Sequence, residues 1–292
     1  MNADDPRDNI KGGAWLIADM SLNIWALSIV KALGADYAAA QVVFLRAAVG
    51  LVLLAPLIWR HRASFRPRKD MLLHLLRVTL SVITLTASFF AIARLPLALF
   101  TAVNFTRPIV TMVMAALLLR ETIGTARWVA AAVALVGVLI AVNPTEVAWT
   151  SGLAALGVVI LSGSGAVIAT RRLRGTPQIV MMTYYTAGLA AFTAPLALWN
   201  WVPVQPGHLA PLLLIGVFAQ SAQACFLRAH HHGEAGFLSI LGYLSLVLSV
   251  SVGYLVFEEI PTRGFWIGAV LVVSAAAWTT FDASRARTAI HQ

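Results

Sequence analysis

The sequence predicts an all-α integral membrane protein of ten transmembrane helices, arranged as two inverted five-helix repeats. Three observations carry this. The 292 residues are 60% hydrophobic and 11% charged, with mean hydropathy +0.82, whereas a soluble domain carries about 25% charged residues. Apolar runs long enough for a hydrocarbon core of roughly 30 Å recur along the whole chain. The stretch Ala91 to Val142 also returns, shifted by 138 residues, so that Glu121 falls on Glu259 and Trp128 on Trp266. Each copy is a span, an acidic turn, a tryptophan and a further span.

The spans fall at 12–33, 38–59, 70–94, 97–119, 127–143, 149–172, 177–199, 207–229, 235–257 and 262–283. A transmembrane barrel would show short alternating segments instead. The longest connection is the basic loop from Arg60 to Lys69, so no soluble domain interrupts the bundle. Asp4, Asp5 and Asp8, and the lack of a small-residue cleavage site, argue against a cleavable leader. The sequence pI of 10.6 does not point to nucleic acid, because the basic residues sit in short loops. The single cysteine, Cys225, excludes a disulfide framework and reads as a packing residue. His230, His231 and His232 are consecutive, which is not the spacing of helical metal ligands, so no metal or cofactor is expected.

Of the 21 lysines and arginines, fifteen fall on the side that holds both termini and three on the other, while Arg46, Arg77 and Arg107 lie within spans. The positive-inside rule therefore places both termini in the cytoplasm of a bacterial inner membrane. Five spans per copy is odd, so residues 1–145 and 146–292 form repeats that cross in opposite directions. Inverted repeats point to a carrier with its solute near the midplane between the halves.

The polar residues inside spans are the candidate pathway. In the first span Trp15, Asp19 and Asn23 share one face, and Asp19 reads either as a proton or counter-ion site or as a fixed ion pair with Arg46, Arg77 or Arg107. In the third, His74, Arg77, Ser81, Thr84 and Ser88 are spaced 3, 4, 3 and 4, one polar face that lines a water-filled path or packs on a polar helix. The fourth carries Thr101, Asn104, Arg107 and Thr111, with Pro108 as a helix break that frees a carbonyl near Asn104. Ser162 to Gly165 in the sixth span reads as close packing or a flexible point. Tyr184, Tyr185 and Tyr243 offer hydroxyls, and Gln220 and Gln223 sit one turn apart. Ser245, Ser249 and Gly253 form a small-residue packing ladder. Pro195 can kink the seventh span. The interior arginines suit a carboxylate or phosphate. Trp15, Phe89, Phe90, Phe105 and Tyr243 suit an apolar side chain. No phosphate-cradling loop and no nucleophile–base motif is present, so neither an ATP-driven pump nor an enzyme is expected; an intramembrane acid–base pair of Asp19 and His74 is the class alternative.

Both copies resemble the repeat of the drug/metabolite transporter superfamily, EamA-type branch. The resembling features are Ala91 to Pro96, Pro108 within the span, Leu119 with Glu121, and the small-residue run Val133 to Gly137. The second copy has Leu246 where Pro108 would fall. The resemblance implies a ten-helix secondary carrier that exports small organic metabolites. The bacterial amino-acid exporters of ten spans, aromatic amino-acid exporters among them, are similar in size and layout, which implies an amino acid with an apolar or aromatic side chain. The alternative is a nucleotide-like or other anionic metabolite, S-adenosylmethionine included. The partners expected are the solute, the lipid bilayer and a proton as coupling ion.

The charge asymmetry yields a prediction. A reporter fused after Gln292 reads cytoplasmic, and a tag between Asn143 and Trp149 is reachable from outside intact cells. A C-terminal tag reached from outside overturns the orientation.

Overall fold

The computed structural model describes residues 6–65, 70–119, 125–142, 150–173, 176–232, 238, 241–242 and 244–290. Among them all regular structure is helical. The helices are α1 (Pro6–Leu33), α2 (Ala39–Arg60), α3 (Met71–Ile92), α4 (Leu97–Asn104), α5 (Arg107–Leu119), α6 (Thr125–Val142), α7 (Ser151–Arg172), α8 (Gln178–Trp199), α9 (Pro206–His232), α10 (Leu244–Phe257) and α11 (Arg263–Ile290), with a 3₁₀ turn at Arg62–Ser64. Seven segments are long and apolar enough to cross a membrane, Leu99–Leu118 across α4 and α5 among them, and Trp128–Ile140, Leu244–Phe257 and Arg263–Ala275 are shorter apolar helices. Together they make the ten spans. α1 and α11 run past the apolar segments at both ends of the chain, because a helix satisfies its backbone internally and need not stop at the lipid boundary.

The polarity of this bundle is inverted relative to a soluble protein. Val52, Leu72, Leu255 and Trp199 are 73–87% exposed, while Gln41, Ser164, Thr193 and Ser249 are completely buried. An apolar shell of that extent is stable only against lipid. Inside, α1 packs on α9, α3 on α7, α2 on α8 and α6 on α11. The main core gathers Val43 and Ala47 of α2, Ile92 of α3, Leu156 of α7, Leu189 of α8 and Ile215 of α9.

The fourth span is broken, as its proline requires. Pro108 has no amide hydrogen and cannot bond the carbonyl of Asn104 one turn back. α4 ends at Asn104 and α5 begins at Arg107. Tighter bonds close the gap: Thr106 N donates to Val103 O at 3.0 Å, and Ile109 N to Thr106 O at 2.9 Å. The second copy has no proline there, and α10 runs through Leu246 unbroken. α8 likewise continues past Pro195 to Trp199.

Candidate functional site

The break delivers Arg107 to the first residue of α5, facing α7. A methyl group added at Gly163 would lie 2.6 Å from the Arg107 Cζ, so the guanidinium rests against bare backbone. A side chain at this position would displace the guanidinium. The neighbouring serines hold the segment: Ser164 Oγ donates to Arg107 O at 3.3 Å, and Thr111 Oγ1 donates to Ser164 Oγ at 3.0 Å. Ser162 Oγ contacts Thr84 Oγ1 at 2.8 Å. The Ser-Gly-Ser-Gly run is thus the seam on which α3 and α5 sit.

The three interior arginines differ in what they touch. Arg77 is tied, its Nε donating to Thr170 Oγ1 at 2.8 Å and its Nη1 to Met181 O at 3.2 Å. It clamps α3 to α7 and α8 rather than reaching for the interface. The side chains of Arg107 and Arg46 have no hydrogen-bond or ion-pair partner among the described residues. Arg46 of α2 lines a small cleft with Tyr185 and Thr186 of α8 and Gly216 and Gln220 of α9. Three residues before Arg107 in the chain, Asn104 Oδ1 is buried with no partner among the described residues.

Asp19 does not pair with any of these arginines. It is buried, and its Oδ1 accepts from Asn23 Nδ2 at 2.7 Å. The fixed ion pair expected as one reading of Asp19 is therefore replaced by an amide bond one turn along the same helix. Trp15 lies under the Arg228 guanidinium, 4.8 Å from ring centroid to Cζ. Cys225 is buried and free.

The third-span face is largely committed to its neighbours. Thr84 bonds Ser162, Arg77 bonds Thr170, and Ser81 Oγ donates to Arg77 O at 2.8 Å within its own helix. Ser88 is buried. His74 is buried too, edge-on to Tyr184 with ring centroids 5.2 Å apart, and its Nε2 is 3.4 Å from Thr176 Oγ1. A water-filled path along this face gives way here to packing on a polar helix, the other expectation for it. Tyr184 accordingly turns away from the cleft that Tyr185 enters. Gln223 is half-buried on α9 and is not part of the cleft. Tyr243 lies outside the described residues.

The aromatic residues expected around an apolar side chain do not form one pocket. Phe89 is in the main core, Phe90 stacks under Arg94 at 3.6 Å, and Phe105 packs with Leu246 and Val250. Each already has a packing partner, so none is left to line the interface beside Arg107.

One network was not foreseen in the sequence. Lys31 Nζ, at the end of α1, lies 2.7 Å from Glu259 Oε1 and donates to Leu95 O at 2.6 Å. The other carboxylate oxygen, Glu259 Oε2, accepts from Leu97 N at 2.8 Å, the first amide of α4. Glu259 follows Glu258, whose φ of 55° turns the chain back so that Glu259 N reaches Gly253 O at 3.0 Å. Loop counting placed Lys31 and Glu259 in separate connections; the repeat alignment that singled out Glu259 was the only signal that it was special.

The family model for the EamA-like transporter family matches this chain twice, at residues 14–143 and 149–281. The chain belongs to the EamA-like transporter family. It is a multi-span membrane transporter of small molecules and not an enzyme. It is similar to the pseudopaline exporter CntI of Pseudomonas aeruginosa, 28% identical over 92% of this chain and 95% of that one. It is also similar to an S-adenosylmethionine uptake transporter of Rickettsia felis, 23% identical over 90% of each chain. A riboflavin transporter of Vibrio cholerae is 30% identical over 71% of this chain and 70% of its own. A solved crystal structure superposes with a TM-score of 0.66 over 96% of this chain and 97% of that chain, at 18% identity, which shows the fold. The solutes named for these three relatives differ, and none is named an amino-acid exporter.

The Lys31–Glu259 pair predicts strong coupling between its members. Glu259→Gln or Lys31→Gln alone strands a largely buried charge and costs about 3 kcal/mol, a loss of several degrees in Tm in detergent. The double Gln variant recovers most of that loss. Additive losses in the double variant would show that the two residues act separately.

Proposed function

We propose that this protein exports a carboxylate-bearing metabolite, an amino acid or a close relative, by alternating access without ATP. The observation that carries the reading is the division among the interior charges. Arg77 and Asp19 are satisfied by neighbours, whereas Arg107 and Arg46 are not. A guanidinium held in a low-dielectric interior without a counter-charge is costly unless a ligand supplies one. The Arg107 fork suits bidentate binding of a carboxylate. The orphan Asn104 Oδ1, at the end of α4 before the break, is our candidate acceptor for the ammonium end of the same solute. Arg107 and Asn104 are the residues to which we assign solute binding.

Alternating access takes its support from two features. The same family model fits residues 14–143 and 149–281. The helix contacts pair up under an exchange of the halves: α1 on α9 corresponds to α7 on α3, and α2 on α8 and α6 on α11 correspond to themselves. A two-fold axis in the membrane plane gives this pattern and allows one half to rock against the other. Asp19, buried and without a cationic partner, is the candidate carrier of a coupling proton. We place the protein in the bacterial inner membrane with both termini cytoplasmic.

The second reading is a nucleotide-like solute such as S-adenosylmethionine. Its support is the similarity to the S-adenosylmethionine uptake transporters of Rickettsia. Its amino-acid end would use the same Arg107 and Asn104.

Transport into proteoliposomes of a panel of radiolabelled amino acids and S-adenosylmethionine, with no ATP present, tests the proposal. The wild-type protein moves at least one of them, and Arg107→Gln at unchanged expression lowers that rate at least tenfold. Asp19→Asn combined with Arg107→Gln does not restore it, because the two residues are not partners. A double variant that regains full transport would reduce Arg107 to half of an ion pair and remove it from solute binding.

A further inference from the structure

Arg107 is not the only interior cation without a counter-charge. The Arg46 cleft lies across the bundle on α2, α8 and α9, whereas Arg107 rests on α7. Tyr185 lines the Arg46 cleft. One carboxylate held at Arg107 would leave Arg46 stranded in the same interior. No acid compensates it, since among the described residues the single acid–base ion pair is Lys31–Glu259, at the far end of α1.

The cleft has the build of a subsite for an acidic group. The cleft is small, with room for one group on a short stem rather than for a whole solute. Two glycines shape it. A methyl group at Gly50 would lie 3.0 Å from Gln220 Oε1, and one at Gly216 would lie 3.1 Å from Arg46 O. The helices therefore approach through bare backbone, and the Gln220 amide is brought beside Arg46. A guanidinium and an amide together offer donors to both oxygens of a carboxylate.

We propose that the Arg46 cleft is a second anion subsite, and that the solute class of this protein carries two acidic groups, one received at Arg107 and one at Arg46. The inference rests on the carboxylate reading of Arg107 above and adds the second group. The chemical class is a dicarboxylate, or an amino acid with an acidic side chain.

Matched pairs of probes isolate the second charge. Glutamate and glutamine differ by one carboxylate at nearly constant shape, as do succinate and succinamate. Their affinities for the purified full-length protein in detergent are read from ligand-dependent shifts in Tm. In the wild type the dianionic-type member of each pair binds about tenfold more tightly, the worth of one charge-assisted hydrogen-bonded contact. Arg46→Gln removes that preference while glutamine and succinamate bind within twofold of wild type. Arg46→Lys, which keeps the charge and guards against a folding defect, retains part of it. Arg107→Gln weakens all four probes. Equal binding of glutamate and glutamine by the wild type would overturn the second subsite and leave the carboxylate reading of Arg107 standing. So would equal loss of both members in Arg46→Gln. Binding of none of the four would overturn the carboxylate reading and the second subsite with it.

Discussion

The guanidinium of Arg107 lies on the bare backbone of Gly163, and much of the interior is arranged around that contact. A cation near the middle of a membrane-spanning helix has to be paired, hydrated or reserved for a ligand. Here the helix is broken one turn before Pro108, so Arg107 starts α5 instead of sitting inside a continuous span. Gly163 clears the space that the side chain occupies, and Ser164 and Thr111 fix the backbone on either side. A larger residue at 163 would push the guanidinium back into the bundle. The small-residue run of α7 is therefore a seat for Arg107 as much as a packing surface.

Around this seat the polar side chains divide into two groups. One group is spent on holding helices together: Arg77 with Thr170 and Met181, Thr84 with Ser162, Asp19 with Asn23. In a lipid environment such bonds are the means by which buried polar groups are satisfied. The other group, Arg46, Arg107 and Asn104, is left unsatisfied among the described residues. That division leaves unpaired positive charge in the interior. The Lys31–Glu259 pair, capping α4 through Leu97, ties the end of α1 to two of the connections on its side of the bundle. In an alternating-access cycle a link of this kind has to break when that side opens.

The all-helical fold and the number of spans were legible because composition and run length respond directly to the bilayer. The break at Pro108 was legible too, since a missing amide hydrogen has one local consequence. The pairing of side chains was not. Periodicity places His74, Arg77, Ser81, Thr84 and Ser88 on one face, but it does not say whether water or α7 meets that face; the serines of α7 decided it. Tyr184 and Tyr185 are adjacent and chemically alike, and only the packing of His74 against Tyr184 shows that Tyr185 is the one turned to Arg46. Phe89, Phe90 and Phe105 looked like a lining because they are aromatic and near Arg107 in sequence. Each had a different neighbour in three dimensions. Gly163 carried no signal beyond being a small residue in a small-residue run.

The central claim is that Arg107 and Arg46 are held open for an anion while Arg77 is structural. Modification of the membrane-embedded protein by the arginine-selective reagent phenylglyoxal, read residue by residue by peptide mass spectrometry, tests it most directly. The account predicts that Arg107 and Arg46 react, that Arg77 reacts far more slowly, and that a transported carboxylate protects Arg107. Arg77 reacting as readily as Arg107, or an Arg107 whose reaction no transported solute slows, would contradict it.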